Sequence, residues 1–296
     1  MAVDETETFL YYTQCLRPWE KTYCQCGISR INIKMKGNPQ PQLLYTETKG
    51  HCGNLAIIGR KMYFSFSQFE TSFKKHQGIN GERTETDQSK ESKDDLITTS
   101  IMKMQLGDSK IHDPVIFESD LPEIEFFTKS PMEPNCFYVG FDDGSKVVKY
   151  NIATGKKDTI LEDDHSRSQA MIVEDFIIYT KLSKYAPGIY GTLYRKRLGS
   201  KEKAMLVANK LASPHTLCQN KDDILINCLG EDDLPSFQKA VVSVSTESVL
   251  TSKNLIHPRV LKNGLQSNAM TCTINGTIYY AGYRSDKGIY EIYYDY

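Results

Sequence analysis

Six short runs of aromatic and β-branched residues recur along the chain: "FLYYT" from position 9, "MYFSF" from 62, "FYVGF" from 137, "FIIYT" from 176, "ILINC" from 224 and "IYYAG" from 278. Bounded by Gly, Asn, Asp and Pro, such runs are strand sequences. No stretch carries a 3.6-residue apolar period of helix length. The surroundings recur as well. A short apolar strand and tight turn precede each run ("NLAIIGRK", "SQAMIVED", "SPHTLCQNKDD", "NAMTCTING"). An alternating strand follows ("GISRINIKM", "ITTSIMKMQL", "SKVVKYNI", "GIYGTLYRKRL", "KAVVSVS", "GIYEIYYDY"), then a fourth ("QLLYTE", "PVIFES", "DTILED", "AMLVAN"). Four antiparallel strands repeated about every 50 residues are the arithmetic of a propeller blade. The expected fold is all-β: one six-bladed β-propeller of four-stranded antiparallel blades over residues 1–296. A pair of β-sandwiches leaves the six-fold recurrence without a cause.

Two features disturb the rhythm. The longest gap, between the second and third runs, contains "ETSFKKHQGINGERTETDQSKESKDD", polar and nearly free of aliphatics, which reads as a mobile insertion at about 70–95. Closure is the second. The chain stops after the third strand of blade 6, and "MAVDETET" supplies either an outer strand for blade 6 or an inner strand for blade 1, not both. Imperfect closure would leave a blade edge for pairing with another chain, so oligomeric state stays open. In the last hairpin, Asn275-Gly276 predicts a type I′ turn, which also accounts for the sequon Asn275-Gly-Thr.

Composition excludes several classes. Thirty-six Lys and Arg stand against 37 Asp and Glu, net charge −1, so no global field favours nucleic acid or an anionic membrane. Apolar runs are strand-sized, which predicts no membrane insertion, and the polar N-terminus lacks the pattern of a signal peptide. The expectation is a cytoplasmic protein; a secreted chain with a replaced N-terminus is the alternative. Gly-x-Ser-x-Gly, His-Glu-x-x-His, phosphate-cradling and Rossmann patterns do not occur.

The blade pattern in "TIYYAGYRSDKGIYEIYYDY" and "GIYGTLYRKRLGSKEKAMLV" resembles that of the YWTD-type propellers of the low-density-lipoprotein-receptor family and their relatives of unknown function. The Tyr-Trp-Thr-Asp tetrapeptide itself does not occur. The resemblance implies the fold and names no ligand.

Because antiparallel strands alternate direction, second-to-third loops and blade-to-blade links share one face, called the top. There fall Asp142, Asp143, Asp163, Asp164, Asp232, Asp233 and Asp286, with Glu118, Asp120, Glu162 and Glu231; Trp19 stands in the long blade 1 loop. The other face carries Arg195, Lys196, Arg197, Lys201, Lys203, Lys156, Lys157, Lys34, Lys36, Arg60 and Lys61. The expectation is an acidic top and a basic bottom.

Cys24, Cys26, His51 and Cys52 also map to the top of blades 1 and 2. They permit three readings: zinc ligands, a disulfide such as Cys15 or Cys24 to Cys52, or free thiols. Cys218, Cys228 and Cys272 lie in apolar strands and are expected as small core residues. The leading function is a non-enzymatic propeller, without cofactor, that binds a protein or peptide through the top-face loops, with Trp19 as anchor and the acidic rim around it. The alternative is a metal-dependent hydrolase or lactonase-like propeller, with a cation such as calcium held over the central tunnel by top carboxylates.

Overall fold

A computed structural model of the chain describes all residues except 16–25, 36–38, 48–49, 70–96, 108–112, 131, 142–145, 163–168, 183–189, 229–239, 264–266, 274, 285–288 and 296. The mobile insertion expected at about 70–95 therefore lies outside the described residues. The first sheet holds β1 (Ala2–Val3), β2 (Phe9–Cys15), β3 (Cys26–Asn32) and β4 (Gln42–Glu47). The second holds β5 (Gly50–Ile58), β6 (Lys61–Phe69), β7 (Ile97–Gln105) and β8 (Val115–Leu121), and the third β9 (Ile124–Lys129), β10 (Cys136–Phe141), β11 (Lys146–Asn151) and β12 (Lys157–Glu162). The fourth holds β13 (Gln169–Val173), β14 (Phe176–Leu182), β15 (Tyr190–Arg197) and β16 (Met205–Ala212). The fifth holds β17 (Pro214–Asn220), β18 (Asp223–Cys228), β19 (Ala240–Ser245) and β20 (Arg259–Asn263). The last holds β21 (Ser267–Cys272), β22 (Ile278–Arg284) and β23 (Ile289–Asp295).

This is an all-β propeller of four-stranded antiparallel blades. The count is corrected: among the described residues five sheets have four strands, not six, and the sheet β21–β23 has three. The N-terminal segment resolves the closure question. Ala2 and Val3 pair with Tyr11 and Leu10, so "AV" is the inner strand of blade 1 and does not serve the last sheet. First strands of successive sheets touch in order, and β1 touches β21, so the ring comes back on itself.

Side chains at successive positions of a strand point to opposite faces, and here each face meets a neighbouring sheet. Tyr11, Tyr63, Tyr138, Ile178 and Leu225 on the second strands face the next sheet. Met62, Phe137, Ile177 and Ile224 face the previous one. That explains why these runs read as continuously apolar: both faces are buried. Five clusters of buried side chains fill the five seams from the first sheet to the last. Close approach also selects Gly140, where an added Cβ would lie 2.0 Å from the ring of Phe126.

Cations on third strands stitch the seams. Arg30, paired across strands with Tyr11, lies with its guanidinium 4.4 Å from the Phe9 ring centroid. It donates to Gln42 Oε1 at 2.8 Å and to the carbonyl of Gly107, just after β7 of the second sheet, at 3.1 Å. Arg195 takes the same place in blade 4. It reaches α1 (Thr246–Thr251), a short helix after β19 that the sequence pattern did not foretell. Ser245 caps α1 by accepting from the amide of Ser248.

The last hairpin differs in turn type from the expectation. Gly276 has φ 93° while Asn275 is not in the left-handed region, and the Gly276 amide bonds the Thr273 carbonyl at 3.1 Å. Of Asn275 and Gly276 only the glycine has a positive φ, whereas a type I′ turn needs it at both.

The buried ionisable groups predict a pH response. Burial raises Cys228 from 9.0 to about 12. Tyr45 rises from 10.0 to about 12, through burial and the Glu47 carboxylate. Tyr138 beside Glu133 and Tyr150 beside Glu118 rise as well, with burial the larger cause in each. At neutral pH the folded and unfolded chains both hold these protons. As pH climbs through 9 and 10, the unfolded chain loses them while the folded chain keeps them. Stability is therefore full below about 9 and falls progressively toward about 12, as thermal melts across that range will show; melts unchanged between pH 8 and 11 would contradict it.

Candidate functional site

The second strands of the sheets end, and the third strands begin, on one face of the ring, so connections 16–25, 70–96, 142–145, 183–189, 229–239 and 285–288 leave from and return to that face. The opposite face carries short first-to-second turns such as Gly59-Arg60, Glu174-Asp175 and Lys221-Asp222. Of the residues expected to form a site, Trp19, Cys24, Asp142, Asp143, Asp163, Asp164, Asp232, Asp233 and Asp286 lie outside the described residues. Their connections leave from the same face. Lys146 and Glu162, at the top ends of β11 and β12, face each other at 3.6 Å, both exposed.

The opposite face departs from the basic surface that was expected. Arg197 Nε is 2.6 Å from Asp175 Oδ2, Lys156 Nζ is 2.8 Å from Asp158 Oδ1 and Arg259 Nη2 is 3.3 Å from Asp223 Oδ2. Asp4, Glu5 and Glu7 stand there too, and Lys34 Nζ donates to the Thr6 carbonyl at 2.7 Å. Each basic turn is legible in the sequence by itself, whereas Asp175 and Asp223, which neutralise Arg197 and Arg259, come from another hairpin of the same sheet. Glu118 is likewise no top-rim carboxylate. It is largely buried within the second sheet, with Oε1 2.6 Å from Lys157 Nζ of the third.

Cys26 and Cys52 are joined by a disulfide, with Cα atoms 5.6 Å apart, across the seam between β3 and β5. A disulfide to Cys52 is one of the three readings the sequence permits, but its partner is Cys26 and not Cys15 or Cys24, because β3 lies beside β5. His51 does not join them, because neighbours on a strand point to opposite faces. Burial lowers its imidazole pKa, with the Glu123 carboxylate pulling the other way. Among the described residues no three His, Cys, Asp or Glu side chains converge as a metal set. A second disulfide, Cys218–Cys272, joins β17 to β21 with Cα atoms 5.8 Å apart. This corrects the expectation that both are merely small core residues: neighbouring inner strands bring two separately apolar positions within bonding reach, which no single-strand pattern reveals. Cys136 and Cys228 are buried free thiols. Burial raises the pKa of both.

Solved structures similar to this one were found. A chain of the nidogen/laminin complex matches with TM-score 0.60 and 8% identity, over 90% of this chain and 89% of that one. TolB from Acinetobacter baumannii matches at 0.62 and 13%, over 98% of this chain and 61% of its own. The PQQ-bound aldose sugar dehydrogenase from Streptomyces coelicolor matches at 0.58 and 10%, over 96% and 98%. The shared feature is the propeller fold. At these identities the likeness extends no further. No protein-family model and no curated protein matches the sequence. Among the described residues no helix is long and apolar enough to cross a membrane.

Proposed function

We propose that the protein is a binding propeller whose top-face loops hold a protein or peptide partner. The observation that carries this reading is that connections 16–25, 70–96 and 229–239, the first two of them flanked by strands of blades 1 and 2, all leave from one face of the ring, while the first-to-second turns on the other face are short. Loops gathered on one face of a rigid scaffold are the common way to build a recognition surface. Trp19 in connection 16–25, Asp142 and Asp143 in 142–145, and Asp232 and Asp233 in 229–239 are the residues we assign to this surface from their place in the sequence, and their chemistry suits a partner with a basic, partly apolar surface. The similar folds include both a member of a two-protein complex and a dehydrogenase, so the choice of binding over catalysis rests on the loops.

The test compares three baits in affinity capture: the natural protein, a top variant and a bottom variant. The top variant carries Trp19→Ala with Asp142→Lys, Asp143→Lys, Asp232→Lys and Asp233→Lys; the bottom variant carries Lys196→Glu, Lys201→Glu and Lys203→Glu. A partner held by the natural protein and the bottom variant, then titrated in purified form, is expected to bind the top variant at least about tenfold more weakly. Equal affinity for all three would overturn the reading. A stoichiometric divalent ion, lost with the top carboxylates, would favour the metal-dependent hydrolase instead.

A further inference from the structure

Both disulfides cross seams, and both involve a terminal sheet. Cys26–Cys52 ties the first sheet to the second, and Cys218–Cys272 ties the last sheet to the fifth. These are the two sheets with the least strand pairing of their own: β1 has two residues, and the last sheet has three strands. Between them lies the closing seam. Its described contacts are the touch of β1 on β21 and the Glu7 carboxylate accepting from the Asn275 amide and side chain. No covalent bond or strand exchange spans that seam among the described residues. The third sheet, complete with four strands, holds the unbonded Cys136.

We infer that Cys26–Cys52 and Cys218–Cys272 are end clamps of a ring whose final seam, among the described residues, is held by non-covalent contacts, and that the working form of the protein is the oxidised one. Each clamp anchors a weak terminal sheet to a complete neighbour, so opening the closing seam cannot peel either sheet away. Cys26 is also the first residue of β3, directly after the connection 16–25, so its clamp pins one root of a top-face loop to the second sheet. Formation of each bridge takes two electrons and two protons from a thiol pair. The acceptor is a disulfide oxidant, such as the disulfide of a thiol oxidoreductase or oxidised glutathione, which is itself reduced to two thiols. A dithiol reductant runs the same exchange backwards. Such bonds persist in oxidising compartments, so the secreted setting follows in place of the cytoplasm.

The test has two arms on the full chain. Protein trapped from its native cells with acid and an alkylating agent is digested without reduction and mapped by mass spectrometry. Linked peptides Cys26–Cys52 and Cys218–Cys272 are expected, with Cys136 and Cys228 carrying the alkyl group. Hydrogen exchange is then followed with and without dithiothreitol. On reduction, exchange in β1–β4 and β21–β23 is expected to quicken at least about tenfold while β9–β16 stays protected. Cys26→Ser with Cys218→Ser is expected to give the reduced pattern without reductant. Free thiols at these four positions in the native cell would overturn the inference. So would exchange in the terminal sheets that ignores reduction, or that quickens equally in every sheet.

Discussion

Phe137→Ala is expected to lower the unfolding free energy by about 3–5 kcal/mol, the largest effect of any single change considered. Phe137 is fully buried at the seam between the second and third sheets. Its ring centroid lies 5.0 Å from that of Tyr150 in a stacked pair and 5.4 Å from that of Phe127. Tyr63 stands 5.1 Å away and Phe117 6.0 Å away. Removing the ring loses its transfer free energy, leaves a cavity and removes four aromatic partners at once. The backbone on both sides is sheet, so little collapse can fill the gap. Phe137→Leu keeps most of the volume and is expected to cost about 1–1.5 kcal/mol. Urea denaturation of the two variants separates the possibilities. Equal, small shifts in midpoint would mean that this seam is not a packed core.

That ring also shows what could be read without coordinates. Phe137 opens "FYVGF", and the recurrence of such runs makes a propeller of four-stranded antiparallel blades legible, though not the number of complete blades. Recurrence works because every second strand meets the same demand, burial on both faces against flanking sheets. Three features escaped. The two-residue β1 is too short for any periodicity, and its role depends on what β21 leaves open. The helix α1 occupies a single turn and a half between strands, below the length at which a 3.6 period registers. The disulfides depend on which strands of different sheets lie side by side. Cys218 and Cys272 are each embedded in an apolar strand, and nothing near either names the other. The charge pattern failed for a related reason: Arg197 reads as a free cation in "RKRLGSKEK", while its partner Asp175 lies in another turn of the same blade, 2.6 Å away in space. Local chemistry was legible, and pairing across elements was not.

The same limit applies to Arg195, whose role depends wholly on the neighbouring sheet. Arg195→Ala is expected to cost about 2–3 kcal/mol, from lost charge-assisted hydrogen bonds and stranded carbonyls. Its Nη1 donates to the carbonyl of Val249, and its Nη2 to that of Ser252 at 2.9 Å. The second nitrogen also lies 3.1 Å from Met205 Sδ. Both carbonyls belong to the C-terminal end of α1, where partial negative charge gathers and where the helix has no basic residue of its own. A guanidinium from the fourth sheet thus serves as the C-terminal cation of a helix in the fifth. Burial lowers its pKa without discharging it at any ordinary pH. Arg195→Lys restores the charge but not the fork, since one ammonium cannot aim at both carbonyls from a fixed strand position. It should recover about half of the loss. The readout that separates a seam clamp from a generic surface residue is local: amide exchange in α1 and the start of β20 should quicken in Arg195→Ala and partly recover in Arg195→Lys. Loss of global stability with unchanged exchange in α1 would show that Arg195 acts through its own sheet instead.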